Sequence, residues 1–185
     1  VRKAMDELPE EKEARFRSEY KLGDYEAQVL CAEKSTANFY EEVCKVTDPI
    51  LSAKWIIGEV NALLNKHDVS LNESNINSEN FSNLILKIKD ETISGKIAKE
   101  VLEEMWEEGS DPIEIIKSKG LEQISDEGEL ETIAQAVIDN NSSQVAAYKS
   151  GKDKLFGFFV GQVMKVSGGK ANPQLVNDIL KKKLK

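Results

Sequence analysis

Three proline dipeptides do most to limit what this chain can fold into: Asp48-Pro49, Asp111-Pro112 and Asn172-Pro173. An Asp or Asn side chain accepts the orphan N–H groups of a first helical turn, and proline at the next position loses no donor that the helix needs. Each pair therefore reads as a helix start. Leu8-Pro9-Glu10-Glu11 reads the same way without a capping side chain. Between these starts, apolar residues recur at helical spacing, as in Phe81, Leu84, Ile85 and Ile88, or Ile97, Val101, Leu102 and Met105. Period-two alternation is scarce, and the fold class expected is all-α.

The periodicity predicts helices over Pro9–Tyr20, Asp24–Val46 with room for a break near Ser35, Pro49–Lys66, Ser78–Lys89 and Ser94–Glu108. Shorter ones follow over Pro112–Lys119, Asp126–Asp139, Ser142–Ser150, Lys152–Val166 and Pro173–Leu184. Asp68–Asn77 reads as a polar connection. Gly109-Ser110-Asp111-Pro112 marks the expected boundary between a multi-helix domain over 1–109 and a small helical tail domain over 110–185.

Charge is also unevenly distributed along the chain. The net charge is -8, yet from Lys149 to Lys185 nine lysines face only Asp153 and Asp178, a local +7 that leaves -15 on the other residues. An acidic body with a basic tail suggests that the tail meets an anionic partner. Cys31 and Cys44 fit no metal or redox spacing and read as small buried hydrophobes of a reducing cytosol, so a cytoplasmic location is expected. No stretch reaches the ~18 apolar residues of a membrane helix, so no membrane partner is expected. The chain opens on Val1 rather than Met, which reads as a piece of something longer.

Little here can do chemistry, and no catalytic or metal-ligating residue is assigned. His67, the single histidine, sits at a helix end, and Glu103-Glu104 and Glu107-Glu108 read as the wet face of an amphipathic helix. A phosphate loop ending at Gly169-Lys170 would need Gly at 164 and Ser or Thr at 171, where the chain has Met164 and Ala171. In Gly157-Phe158-Phe159-Val160-Gly161 the glycines lie on one helical face. At about 1 kcal/mol each relative to alanine, they call for a close helix–helix crossing or a close backbone approach by a partner. Phe156, Phe158, Phe159, Trp55 and Trp106 read as core.

Several strings carry a resemblance: ISGKIAKEV within Glu91–Pro112, SDEGELE within Gly120–Glu131, and GKDKLFGFFVGQVMK and GKANPQLVN within Tyr148–Leu184. In this order and spacing they resemble the C-terminal part of the B subunit of bacterial-type aspartyl/glutamyl-tRNA amidotransferases, over essentially the whole chain. MDELPEEKEARF resembles the segment leaving that subunit's catalytic cradle, so residues 1–34 are expected to lead out of it. The resemblance implies a holoenzyme that converts Glu-tRNA(Gln) or Asp-tRNA(Asn) to the amidated form. Its A subunit releases ammonia, and the cradle of its B subunit uses ATP and magnesium. Those cofactor residues would lie outside this chain, which needs none of its own. The implied partners are tRNA(Gln) or tRNA(Asn) and the A and C subunits. The 110–185 part resembles the YqeY-like tail that grips the outer corner of tRNA.

Lysines that neutralise phosphates supply affinity for such a surface. The candidates are Lys149, Lys152 and Lys154 before the GFFVG helix, Lys165 and Lys170 after it, and the helix start at Asn172. Gly168-Gly169 would offer backbone N–H groups, and Gly157 and Gly161 either helix packing or a backbone approach to RNA. The competing expectation is a helical protein-interaction adaptor without RNA contact.

Overall fold

The computed structural model describes residues 7–185, so the first six residues of the stretch expected to lead out of a cradle lie outside the described residues. The described chain is helical throughout, its one extended pairing being an isolated bridge between Ile124 and Ala171. It divides into two compact units. One comprises the chain up to Asp90 together with Val101–Ile115, the other Glu91–Glu100 together with Ile116–Lys185.

In the first unit, α1 (Pro9–Glu19) packs on α2 (Asp24–Cys31), and α3 (Lys34–Cys44) packs on α2, on α4 (Pro49–Trp55) and on α6 (Ser78–Lys89). The break expected near Ser35 within Asp24–Val46 falls at Glu33, which is extended (φ -125°, ψ 136°) and restarts the chain at Lys34. Pro49–Lys66 is also interrupted: a π-helical turn at Ile56–Val60 joins α4 to α5 (Asn61–His67). The supposed polar connection after it carries a 3-10 turn at Leu71–Glu73 and buries Leu71 and Ile76. Asp48 caps α4 as its sequence predicts, accepting the Leu51 N–H at 2.8 Å.

Aromatic pairs lie within the core of this unit. Tyr40 is fully buried, with ring centroids 5.2 Å from Phe16 and 5.3 Å from Tyr20, and Phe39 lies 5.4 Å from Phe81. Such offset and edge-on pairs add to the burial of apolar area itself. Above this core Arg15 holds Glu41 at 2.6 Å, Glu7 at 2.7 Å and Glu19 at 3.3 Å, and Lys12 holds Glu41 at 2.8 Å. Trp55 and Trp106 are buried as expected.

The helix α7 (Gly95–Glu108) is shared between the units, its Gly95–Glu100 part going with the second, and α8 (Pro112–Lys119) is divided in the same way. The second unit is otherwise built from α9 (Glu127–Asn140), α10 (Ser142–Lys149), α11 (Leu155–Val166) and α12 (Pro173–Lys183). Leu130, Ala134 and Val137 of α9 meet Phe159 and Val163 of α11 and Val176, Ile179 and Leu180 of α12 in one core.

Candidate nucleic-acid interface

The start of α11 is where the basic tail is most open. Lys149 ends α10, Lys152 lies in the connection and Lys154 precedes Leu155 at the helix start. All three are exposed, and none of their ammonium groups makes a hydrogen bond or ion pair among the described residues. Lys165, in the last turn of α11, is exposed in the same way. An unpaired surface ammonium is fully hydrated, and releasing condensed counterions from a polyanion is what makes such groups binders.

Gly157 and Gly161 are exposed on α11, and a Cβ added at either would meet nothing within 4 Å. The expected close helix crossing therefore has no partner among the described residues. The physical reason lies in the helix itself. Phe159 and Val163 face the core, and each glycine sits two residues from one of them, about 200° round the axis at 3.6 residues per turn. The glycine face is the outward face.

Other candidates are engaged. Gly168 (φ +62°) and Gly169 (φ +81°) end α11, the Gly168 N–H donating to Lys165 O at 3.1 Å and the Gly169 N–H to Met164 O at 2.7 Å. This is a Schellman closure, in which left-handed backbone favours glycine and both donors are consumed. The expectation that these N–H groups stand open for a phosphate is corrected accordingly. Asn172 caps α12, its Oδ1 accepting from the N–H groups of Gln174 at 3.0 Å and Leu175 at 3.3 Å. Lys170 is half-buried and its Nζ donates to Gly120 O at 2.9 Å.

A fastening missed by reading along the chain surrounds this loop. Ile124 N–H donates to Lys170 O at 2.7 Å, Asn172 N–H returns to Ile124 O at 3.0 Å, and Gln123 N–H donates to Thr92 O at 2.6 Å. The buried Ser94 hydroxyl donates to Gly169 O at 3.0 Å while accepting the Ile97 N–H at 3.3 Å. Ser94 was read as the start of the Ser94–Glu108 helix, but a bond across 75 residues leaves no local trace.

Burial pushes both the Cys31 and Cys44 thiols up to about 11, away from thiolate reactivity. His67 stacks on Trp106 with centroids 5.2 Å apart. Among the described residues no group of three or more His, Cys, Asp or Glu side chains is placed to hold a metal ion, and no helix is long and apolar enough to cross a membrane.

Residues 38–184 match the GatB_Yqey family, described as the GatB domain. The chain is 47% identical over 185 residues to the B subunit of the aspartyl/glutamyl-tRNA(Asn/Gln) amidotransferase of Orientia tsutsugamushi strain Boryong, covering all of this chain and 38% of that protein. It is 49% identical over 186 residues to the B subunit of the same amidotransferase from Alkalilimnicola ehrlichii, again across the whole chain and 39% of the relative. The Pelagibacter ubique relative of the same name is 49% identical over 97% of the chain and 37% of its own length. The chain thus spans less than two fifths of the length of these curated relatives.

Proposed function

The chain belongs to the GatB_Yqey family, and from that premise we propose that it is the tRNA-binding, non-catalytic portion of the B subunit of an aspartyl/glutamyl-tRNA(Asn/Gln) amidotransferase. The observation that carries the reading is the exposed, unpaired trio Lys149, Lys152 and Lys154 beside the open glycine face of α11. A tRNA corner is a dense phosphate surface recognised through its shape and backbone rather than through a base code. Lysine supplies mobile point charges for such a surface, and a helix face bearing Gly157 and Gly161 lets a ribose-phosphate chain come close to the backbone. Affinity is then electrostatic, and the selectivity contributed here is one of shape.

No reaction step is assigned to these residues. ATP and magnesium belong to the activating centre of the longer protein, and the carboxylates described here form no group suited to the metal. The role in the cytoplasmic complex with the A and C subunits is to hold Glu-tRNA(Gln) or Asp-tRNA(Asn) while chemistry proceeds elsewhere. Binding of tRNA to the chain, measured across a salt titration, tests this. The Lys149→Glu/Lys152→Glu/Lys154→Glu variant is expected to bind more than about tenfold more weakly at low salt, with a salt slope reduced by about two. Absence of tRNA binding by the unaltered chain at low salt would remove the proposal.

A second reading, a protein-interaction adaptor, is favoured by one feature of the first unit. A groove of about 410 Å³ lies beside Tyr25 and Ile50, which are 66% and 60% exposed, with Leu22, Ala53 and Ile57 in its lining. Native-gel shifts with the A subunit and with tRNA, run separately, distinguish the two.

A further inference from the structure

The fold brings one more cation to the loop after α11, from a segment that precedes the basic tail by more than fifty residues. Because the Ser94 hydroxyl is bonded to Gly169 O, the first turn of α7 is fixed against that loop. Lys96, two residues further on, lies over Gly169. A Cβ built on Gly169 would come within 3.1 Å of Lys96 Cδ and 3.4 Å of its Nζ. The absence of a side chain at 169 is thus what seats the lysine stem.

Lys96 is exposed and its ammonium group makes no hydrogen bond or ion pair among the described residues, although Glu100 follows one turn later on the same helix. The loop it covers carries two further ammonium groups. Lys170 donates one hydrogen to Gly120 O and keeps two. Lys165, whose carbonyl accepts the Gly168 N–H, is exposed and unpaired. Lysines from two distant stretches thus flank or lie against one glycine turn, and no carboxylate partners any of the three ammonium groups. Lysine, unlike the planar fork of arginine, presents a hydrated point charge that accepts phosphate in many orientations. That chemistry suits a ribose-phosphate backbone.

We propose that Lys96, together with Lys165 and Lys170, forms a second phosphate-contact set for tRNA, separate from Lys149, Lys152 and Lys154. The inference rests on the tRNA-binding reading above and extends the footprint to the first turn of α7.

The test compares Lys96→Met, which keeps the stem and removes the charge, and Lys96→Arg, which keeps both, in the 185-residue chain. Thermal melting and tRNA binding are followed across a salt titration. Lys96→Met is expected to melt like the unaltered chain and to bind about five- to tenfold more weakly at low salt, with the salt slope reduced by about one, while Lys96→Arg binds almost normally. If Lys96→Met keeps the full slope, whether or not its affinity changes, the second contact set is wrong. The functional reading survives that result where Lys149→Glu/Lys152→Glu/Lys154→Glu still weakens binding. If the unaltered chain does not bind tRNA at low salt, the functional reading and this inference both fall.

Discussion

Asp48 uses both carboxylate oxygens, one accepting the Leu51 N–H at 2.8 Å and the other Lys89 Nζ at 2.9 Å. The Lys89 contact first, and the backbone N–H groups of α4 next, hold its pKa below the usual aspartate range. A depressed folded-state pKa contributes stability that is present above the unfolded value near 3.9 and is lost as pH falls through the folded one. Asp48→Ala removes cap and pair together and is expected to cost about 1 kcal/mol at neutral pH. Asp48→Asn keeps the cap. Its melting temperature should stay close to that of the unaltered chain near neutrality and fall less steeply between about pH 5 and pH 3, as circular dichroism melts would show. The slope is reduced rather than abolished because Glu41 also sits below the ordinary range. Burial raises it, but its contacts with Lys12 and Arg15 outweigh that effect. The capping role of Asp48 was legible from the dipeptide alone. The Lys89 contact was not, because it joins residues 41 apart.

Along an element, the same distinction between local and distant information decides what α11 shows. Its glycines, apolar run and C-terminal end could be read from sequence, though it starts at Leu155 and not at Lys152, and with Phe159 and Val163 as the core face the outward position of Gly157 and Gly161 follows from helical geometry. What periodicity cannot supply is whether a second helix covers that face, and none of those described does. The expectation for substitution changes with it. Exposed glycine in a helix interior is less stable than alanine, so Gly157→Ala and Gly161→Ala should each stabilise the second unit by about 0.5–1 kcal/mol. The measurement is a thermal melt paired with a tRNA titration. Raised melting with weakened binding marks the face as a site of close backbone approach, and raised melting with unchanged binding leaves the face without an RNA role. The interruptions of the Asp24–Val46 and Pro49–Lys66 stretches show the opposite limit. The first was expected near Ser35 and falls at Glu33, whereas the π-helical turn at Ile56–Val60 was not expected and carries no proline to mark it.

At the scale of the whole molecule, the units carry -11 and +3 of the net -8. The segregation was visible along the chain, since the acidic excess and the lysine-rich end are contiguous stretches. That 91–100 groups with the second unit was not, because the bonds from Thr92 to Gln123 and from Ser94 to Gly169 are long-range. A strongly negative first unit acts on any polyanion as a diffuse repulsion, whereas lysine contacts act locally, so salt separates them. Glu103 and Glu107 are exposed on α7 and suit the test. Glu103→Gln/Glu107→Gln is expected to speed association with duplex DNA and with unrelated RNA by a few-fold at about 20 mM salt, an ionic strength at which the screening length is on the order of 20 Å. Near 0.15 M, where that length is about 8 Å, the gain should vanish. Stopped-flow association rates at both salts decide the matter. A gain that persists at the higher salt would mean that these carboxylates meet the nucleic acid directly, so that their charge acts locally and not as a diffuse repulsion.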